Sequence, residues 1–337
     1  MRGNLRVGGA GYLLLLFTAV LLTGCAPKKK EEVWVWPPPP EKPRIKYIAS
    51  YRGESDFKKV DILGALLGEP RLKIELMKPY GVWARGEKIY VVDTAFNTVF
   101  IFDLKEKEVK PVGRFMGAVN IVGDSKGRLW VSDAKAGMVY AIDEEGKFLM
   151  GIGKNSLKRP TGLTLDESRN RLYVVDTGEH SIKVFDLDSG ELLLVIGRRG
   201  SGDGEFNYPT NIALDRRTGN LVVVDTFNFR IQILDPEGNF IRKFGQPGNR
   251  PGDFYRPKGV GVDSEGHIYV ADAAFDNFQI FDQEGRLLLF VGQAGSGPGQ
   301  FHLPAGLYID EQDRIYVVDQ FNRRVQVFQY LKYPEEE

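Results

Sequence analysis

The chain has 337 residues, 42% of them hydrophobic and 12% aromatic, which is enough apolar side chain for a sizeable folded core. Forty-five Lys and Arg balance 45 Asp and Glu, so no bulk positive field steers the protein to nucleic acid. A single cysteine, Cys25, excludes an intramolecular disulfide.

Residues 1–24 read as an export signal. Arg2 and Arg6 form a positive leading region, and Gly11 to Leu22 form an apolar stretch shorter than the roughly 20 residues of a transmembrane helix. The stretch ends in Leu22-Thr23-Gly24-Cys25, which resembles the lipobox cut by the bacterial lipoprotein signal peptidase. The expectation is a Cys25 carrying acyl chains, each buried methylene contributing about 0.8 kcal/mol to anchoring. Ala26 follows the cysteine in place of Asp, the sorting pattern of an outer-membrane lipoprotein in a Gram-negative envelope, facing the periplasm or the cell surface. Residues 25–43 then read as a lipidated, Pro-rich tether with no strand or helix period, and Pro37 to Pro40 predict a polyproline II rod. Within it, Trp34 and Trp36 read either as interfacial anchors or as a small docking motif.

An internal period organises the rest. A β-branched or aromatic run ending in Asp recurs at Asp93, Asp133, Asp176, Asp225, Asp272 and Asp319, at intervals of 40 to 49 residues. A second Asp follows ten residues later in the first five copies, at Asp103, Asp143, Asp186, Asp235 and Asp282, and Gln329 takes that place in the sixth. Before the first run lies a strand such as GLTLD or NIALD; after the second Asp come a turn such as DPEGN and a strand such as FIRKFG. Each unit therefore reads as four strands, a to d, joined by turns at fixed offsets.

Four strands per period of this length make one blade of a propeller. The prediction is an all-β, six-bladed β-propeller of four-stranded antiparallel blades spanning residues 44–333, followed by an acidic tail at 334–337. The sixth unit lacks its own strand d, and Arg44 to Tyr51 is an unclaimed strand upstream of the first unit. Pairing of Arg44 to Tyr51 with Val325 to Phe328 would complete the last blade and remove the open sheet edges, and the closed ring is expected to be monomeric. One short helix is expected before blade one, within 54–68, with Ser55 as its N-cap, set against the central channel.

Blade four (YPTNIALD…LVVVDTFNFRIQILDPEGNFIRKFG) resembles an NHL repeat, as do blade five and IYVVDQFNRRVQVF of blade six. The inter-blade links GSGDGEFNYP, GNRPGDFYRP and GSGPGQFHLP are similar to the Gly-rich, Phe-then-Pro link of that family. The resemblance covers residues 44–330; it is closest in blades three to six, and blade two lacks the Pro before strand a. It implies a six-bladed ring and a spread of roles: protein binding, RNA binding, or lyase chemistry at a metal.

Chemistry-bearing residues narrow that spread. A metal-dependent lyase would need converging histidines, but His180, His267 and His302 fall in a b–c loop, an a–b turn and a d–a loop. No metal site or catalytic residue is assigned and no cofactor is expected, while a structural or channel Ca²⁺ stays open. The first Asp recurs in every blade, as a turn-fixing residue must and a catalytic site does not, so it is expected to accept backbone N–H groups of the adjoining loops. The Asn-x-Arg of Asn228 to Arg230 and Asn322 to Arg324 is expected to tie neighbouring blades together.

The a–b and c–d turns are rich in carboxylates, whereas the d–a and b–c loops carry basic and aromatic side chains. That second face is the candidate binding surface, through Arg198, Arg199, Arg230, Arg250, Arg256, Arg323 and Arg324 together with Phe96, Phe227, Phe229 and Phe275, since Arg and aromatics dominate interface hot spots. The functional expectation is a membrane-anchored extracytoplasmic scaffold binding a protein partner in the periplasm or at the envelope, with no nucleic acid. The alternative is a metal-dependent propeller enzyme, of lyase or lactonase type, acting on a small polar substrate in the channel.

Overall fold

Residues 33–57 and 73–333 are described by the computed structural model. They build six antiparallel sheets, five of them four-stranded in the order a-b-c-d. In blade three the strands are Pro160–Asp166, Arg171–Asp176, Ser181–Asp186 and Leu192–Ile196. Blade two is equally regular despite its missing proline, with strands Ala118–Gly123, Leu129–Asp133, Met138–Ile142 and Phe148–Ile152.

The strands of one blade differ in sequence because they differ in surroundings. Strand b is buried on both faces, so it reads as an unbroken apolar run. In blade four, Leu221 and Val223 pack with Tyr173, Val175 and Ile182 of blade three, while Val222 and Val224 pack with Val260, Ile268 and Val270 of blade five. Strand d lies at the rim of the disc and leaves Leu192, Leu193 and Val195 exposed. Strand a of each blade contacts strand a of the next, and that of blade six contacts that of blade one, so the ring is closed.

Ring closure follows the expected route. Ile45–Tyr51 pairs antiparallel with Arg324–Tyr330, Ile45 opposite Tyr330 and Tyr51 opposite Val325. The inter-blade links work as plugs: Phe206, Phe254 and Phe301 are fully buried. Gly197, which follows strand d of blade three, has φ +78°, and a Cβ there would stand 2.3 Å from the Phe206 ring. The Gly and Phe of the link are therefore one packing unit.

Two expectations are corrected. Residues up to 43 are not all free tether: Val35–Trp36 adds a fifth strand to blade six, with Val35 opposite Lys46 and Trp36 opposite Ile45. Trp36 packs edge-on to Phe328 at 5.8 Å, and Pro37 to Pro40 lie in the loop between the two strands, so the run does not stand off as a rod. Second, the helix expected at 54–68 is described only at its start, where Glu54–Asp56 forms a single 3₁₀ turn. Ser55 lies inside that turn and does not cap it; Asp56 accepts the backbone N–H groups of Arg52 and Gly53. The rest of that stretch, like the export signal, Cys25 and the acidic tail, lies outside the described residues.

Candidate functional site

All six first Asp residues are fully buried, and each receives a backbone N–H from the loop that enters its own blade. Asp93 accepts from Met77 and Lys78 at 2.7 and 2.8 Å, Asp133 from Met116 at 2.7 Å, and Asp176 from Lys158 and Arg159 at 2.8 and 2.9 Å. Asp225 accepts from Asn207, Asp272 from Tyr255 and Asp319 from His302, at 2.7, 2.8 and 2.8 Å. A buried carboxylate satisfied by several N–H groups fixes a loop. These residues hold the d–a loop against the b–c loop in every blade.

Blades four and six add a cation. Arg230 is 7% exposed and Arg324 3%, and each donates from Nε to its Asp at 2.8 and 2.7 Å. Arg230 also donates to the carbonyls of Ser201, Gly202 and Glu205, and Arg324 to those of Gly297 and Gln300. Both are therefore struts of the inter-blade link and are withdrawn from the binding surface, as the tying role of Asn-x-Arg requires. Their Asp has one oxygen committed to the cation, so the second loop N–H finds another acceptor. Tyr208 N–H donates to Nδ1 of His180 at 3.0 Å, and Leu303 N–H to Asp276 at 2.7 Å. His180 is thus a structural acceptor between blades three and four.

The other two histidines are also engaged apart. His267 meets Asp263 at 2.9 Å, and that hydrogen bond lifts its pKa above the usual value against the pull of burial. His302 stacks on Phe321 at 5.2 Å. Among the described residues no three His, Cys, Asp or Glu side chains are grouped to hold a metal ion.

What the loop scaffold presents is a rim of exposed side chains. Phe96, Phe227, Arg199, Arg250, Arg256 and Arg323 are exposed there, Arg198 is exposed but paired with Glu205 at 2.9 Å, and Phe229 and Phe275 are half-buried. The sequence reading missed Met77, Met116, Tyr208, Tyr255 and Phe321, all exposed, with Met116 at 65% and Tyr255 at 63%. Four of these five sit one or two residues before the first residue of strand a, a position that reads as linker when the eye follows the Pro. The apolar groups come in pairs across loops: Tyr208 against Phe227 at 5.1 Å and Phe229 against Tyr255 at 6.3 Å. Apolar side chains displayed by loops that are themselves rigidly held make this rim the candidate contact surface.

The opposite end of the channel is a separate feature. Third in each strand a stand Gly81, Asn120, Gly162, Asn211, Gly259 and Gly306, where the strands run so close that a Cβ on Gly162 would lie 2.5 Å from Asn211 Cα. Asn120 and Asn211 bridge the ring here, Nδ2 to Oδ1, at 3.3 Å. Beyond this waist a cavity of about 410 Å³ opens towards the a–b turns, lined by Trp83, Arg85, Thr164, Arg216 and Tyr308 among others.

Residues 162–232 and 263–337 match the family model DUF5128, a 6-bladed beta-propeller. No curated protein sequence matches the chain. Among solved structures, an auxiliary nutrient binding protein from Bacteroides thetaiotaomicron VPI-5482 is similar at 14% identity and TM-score 0.62, over 76% of this chain and 70% of that one. Virginiamycin B lyase from Staphylococcus aureus is similar at 14% identity and TM-score 0.56, over 76% of this chain and 96% of that one. A Bacteroides thetaiotaomicron protein of unknown function is similar at 17% identity and TM-score 0.61, over 76% and 70% of the two chains. These likenesses support the six-bladed ring; at such identities they carry the fold and not its chemistry.

Proposed function

We propose that this propeller is a binding module held at a bacterial cell envelope by lipid on Cys25, and that it docks a protein partner on the rim of d–a and b–c loops. The observation that carries the reading is the exposed set Met77, Phe96, Met116, Tyr208, Phe227, Tyr255 and Phe321, interspersed with the exposed cations Lys158, Arg159, Arg256 and Arg323. Apolar anchors ringed by polar groups are the anatomy of a protein interface. Each of these loops is fixed by a buried carboxylate, so little loop ordering remains to be done on binding. The name of one propeller of similar fold, an auxiliary nutrient binding protein, is in keeping with a binding role.

The test is crosslinking and pull-down from membranes with Cys25 intact. A variant with Phe227→Ala, Tyr255→Ala, Arg256→Glu and Arg323→Glu keeps the buried struts and is expected to lose at least about tenfold in partner capture. Capture unchanged by these substitutions sinks the rim as the docking surface. Cys25→Ser is expected to move the protein from the membrane to the soluble fraction, and a variant that stays membrane-bound removes the lipid anchor from the proposal.

A further inference from the structure

In a repeat protein, what recurs in each unit builds the scaffold, and what departs from the recurrence marks a site. Six residues after the start of strand a, at or just past its end, stand Asp124, Asp166, Asp215, Asp263 and Asp310 in blades two to six, but in blade one the same place is Arg85. Two residues earlier, facing the cavity beyond the channel waist, stand Trp83, Val122, Thr164, Ala213, Gly261 and Tyr308 in blades one to six. The large aromatics thus come from adjacent blades six and one, and the small residues from blades two to five. The cavity is a slot with an aromatic wall on one side and room on the other.

The aromatic wall is fixed in place. Trp83 and Tyr308 have ring centroids 6.4 Å apart, Trp83 packs on Tyr90 at 4.9 Å, and a Cβ on Gly123 would collide with the Trp83 ring. At the mouth, Arg85 lies beside the Trp83 ring and donates from Nη1 to the Asp124 carbonyl at 2.6 Å. Arg216, from the opposite side of the ring, donates from Nη2 to the Tyr308 hydroxyl at 3.0 Å.

Neither guanidinium meets a carboxylate among the described residues, although the repeat supplies carboxylates to Arg128, Arg169 and Arg217 on neighbouring a–b turns. Of the acidic side chains lining the cavity, Glu167 is bound to Ser125 and Asp310 to Arg314 and Tyr316. Neither Glu167 nor Glu311 meets a cation among the described residues, and Glu311 makes no side-chain hydrogen bond there either. Deep in the slot, Asn211 lines the cavity at 8% exposure, its Oδ1 accepting the Ile212 N–H and the Asn120 Nδ2.

We propose that this slot binds a small organic anion with a flat apolar body. The body lies against Trp83 and Tyr308, and the anionic group faces Arg85 and Arg216 at the mouth. A volume of about 410 Å³ is within the range of small-molecule sites, and guanidinium groups with N–H donors to spare and no carboxylate partner suit carboxylate or sulfonate geometry. The site opens on the face opposite the rim, so it stands independently of the partner-docking reading.

Calorimetric titration tests this with three probes: 2-naphthoate, its neutral isostere 2-naphthamide, and inorganic phosphate. Saturable one-to-one binding of 2-naphthoate is expected, with phosphate weaker by at least about tenfold. The double variant Arg85→Gln, Arg216→Gln, both exposed and outside the core, is expected to weaken 2-naphthoate by about tenfold or more while 2-naphthamide changes less than about twofold. Glu311→Gln is expected to tighten 2-naphthoate by roughly two- to threefold, by removing a like charge. Filling the slot with Ala213→Leu is expected to weaken both naphthalene probes alike. The proposal is overturned by an absence of saturable 2-naphthoate binding at millimolar concentration, by equal affinity in the arginine double variant, or by phosphate binding as tightly as 2-naphthoate.

Discussion

The two recurring aspartates do different work with the same carboxylate. Those closing strand b are fully buried and accept N–H groups 15 to 18 residues away, as Asp93 does from Lys78 and Asp225 from Asn207. Those closing strand c are half-buried and accept backbone N–H groups from residues two to four places on, as Asp143 does from Glu145 and Lys147 and Asp186 from Asp188 and Ser189. One set stitches loops across a blade; the other shapes a single turn. A repeated residue therefore says that a position matters to the repeat, and burial with contact range says how much.

The sharpest way to break this comparison is at Asp319. Asp319→Ala strands the buried Arg324 without its counter-charge and is expected to cost about 3–5 kcal/mol in a urea unfolding curve. Adding Arg324→Met should recover part of that loss, because the uncompensated charge goes with it. A double variant less stable than Asp319→Ala would show that the arginine's carbonyl contacts, and not its pairing, dominate.

Blade two offers the same comparison without a cation. Asp133→Ala removes acceptors for Met116, Lys135 and Ala136 N–H groups and is expected to cost about 1–3 kcal/mol. Asp143→Ala in the same blade leaves its turn N–H groups to water and is expected to cost under about 1 kcal/mol. Equal losses of the two in thermal unfolding would erase the distinction between the rings.

The smallest expected effect tests a third carboxylate, Asp263 at the end of strand a. Its hydrogen bond raises the pKa of His267 in the folded chain above the ordinary 6.5. A raised folded pKa means that the stabilisation is complete below 6.5 and is lost as pH climbs through the folded value. The unfolding midpoint should therefore decline slightly over that window in the native chain, and His267→Gln should flatten the slope; an unchanged slope would remove His267 as its source.

The ring, its closure and the loop-fixing role of the first Asp are legible because each is a matter of period and offset. Asp93 to Asp319 repeat at one register, and Arg44 to Tyr51 was the strand left over when the blades were counted. The candidate surface was legible in part. The loop cations at the rim are exposed in large part, but Arg230 and Arg324 carry both expectations, blade tie and surface cation, and the carbonyls of the folded link at Ser201 to Glu205 and Gly297 to Gln300 decide for the tie by drawing them inward. Tyr208 and Tyr255 escaped notice because a residue beside a linker proline reads as linker. The channel slot was illegible for a different reason: Trp83, Arg216 and Tyr308 come from blades one, four and six, and their neighbourhood exists only once the circle has closed. Trp36 escaped because two residues of strand are too few to show a period.

Blade six is sewn from the two ends of the folded chain, with Ile45–Tyr51 lying against Arg324–Tyr330. A strand made early waits for the last one of the ring. A chain cut short anywhere before Arg324 leaves Ile45–Tyr51 without its mate and the circle open at an unpaired edge, the kind of edge that proteases and aggregation find first. Such long-range pairing is slow to form, so a closed ring reports that synthesis has run past Tyr330.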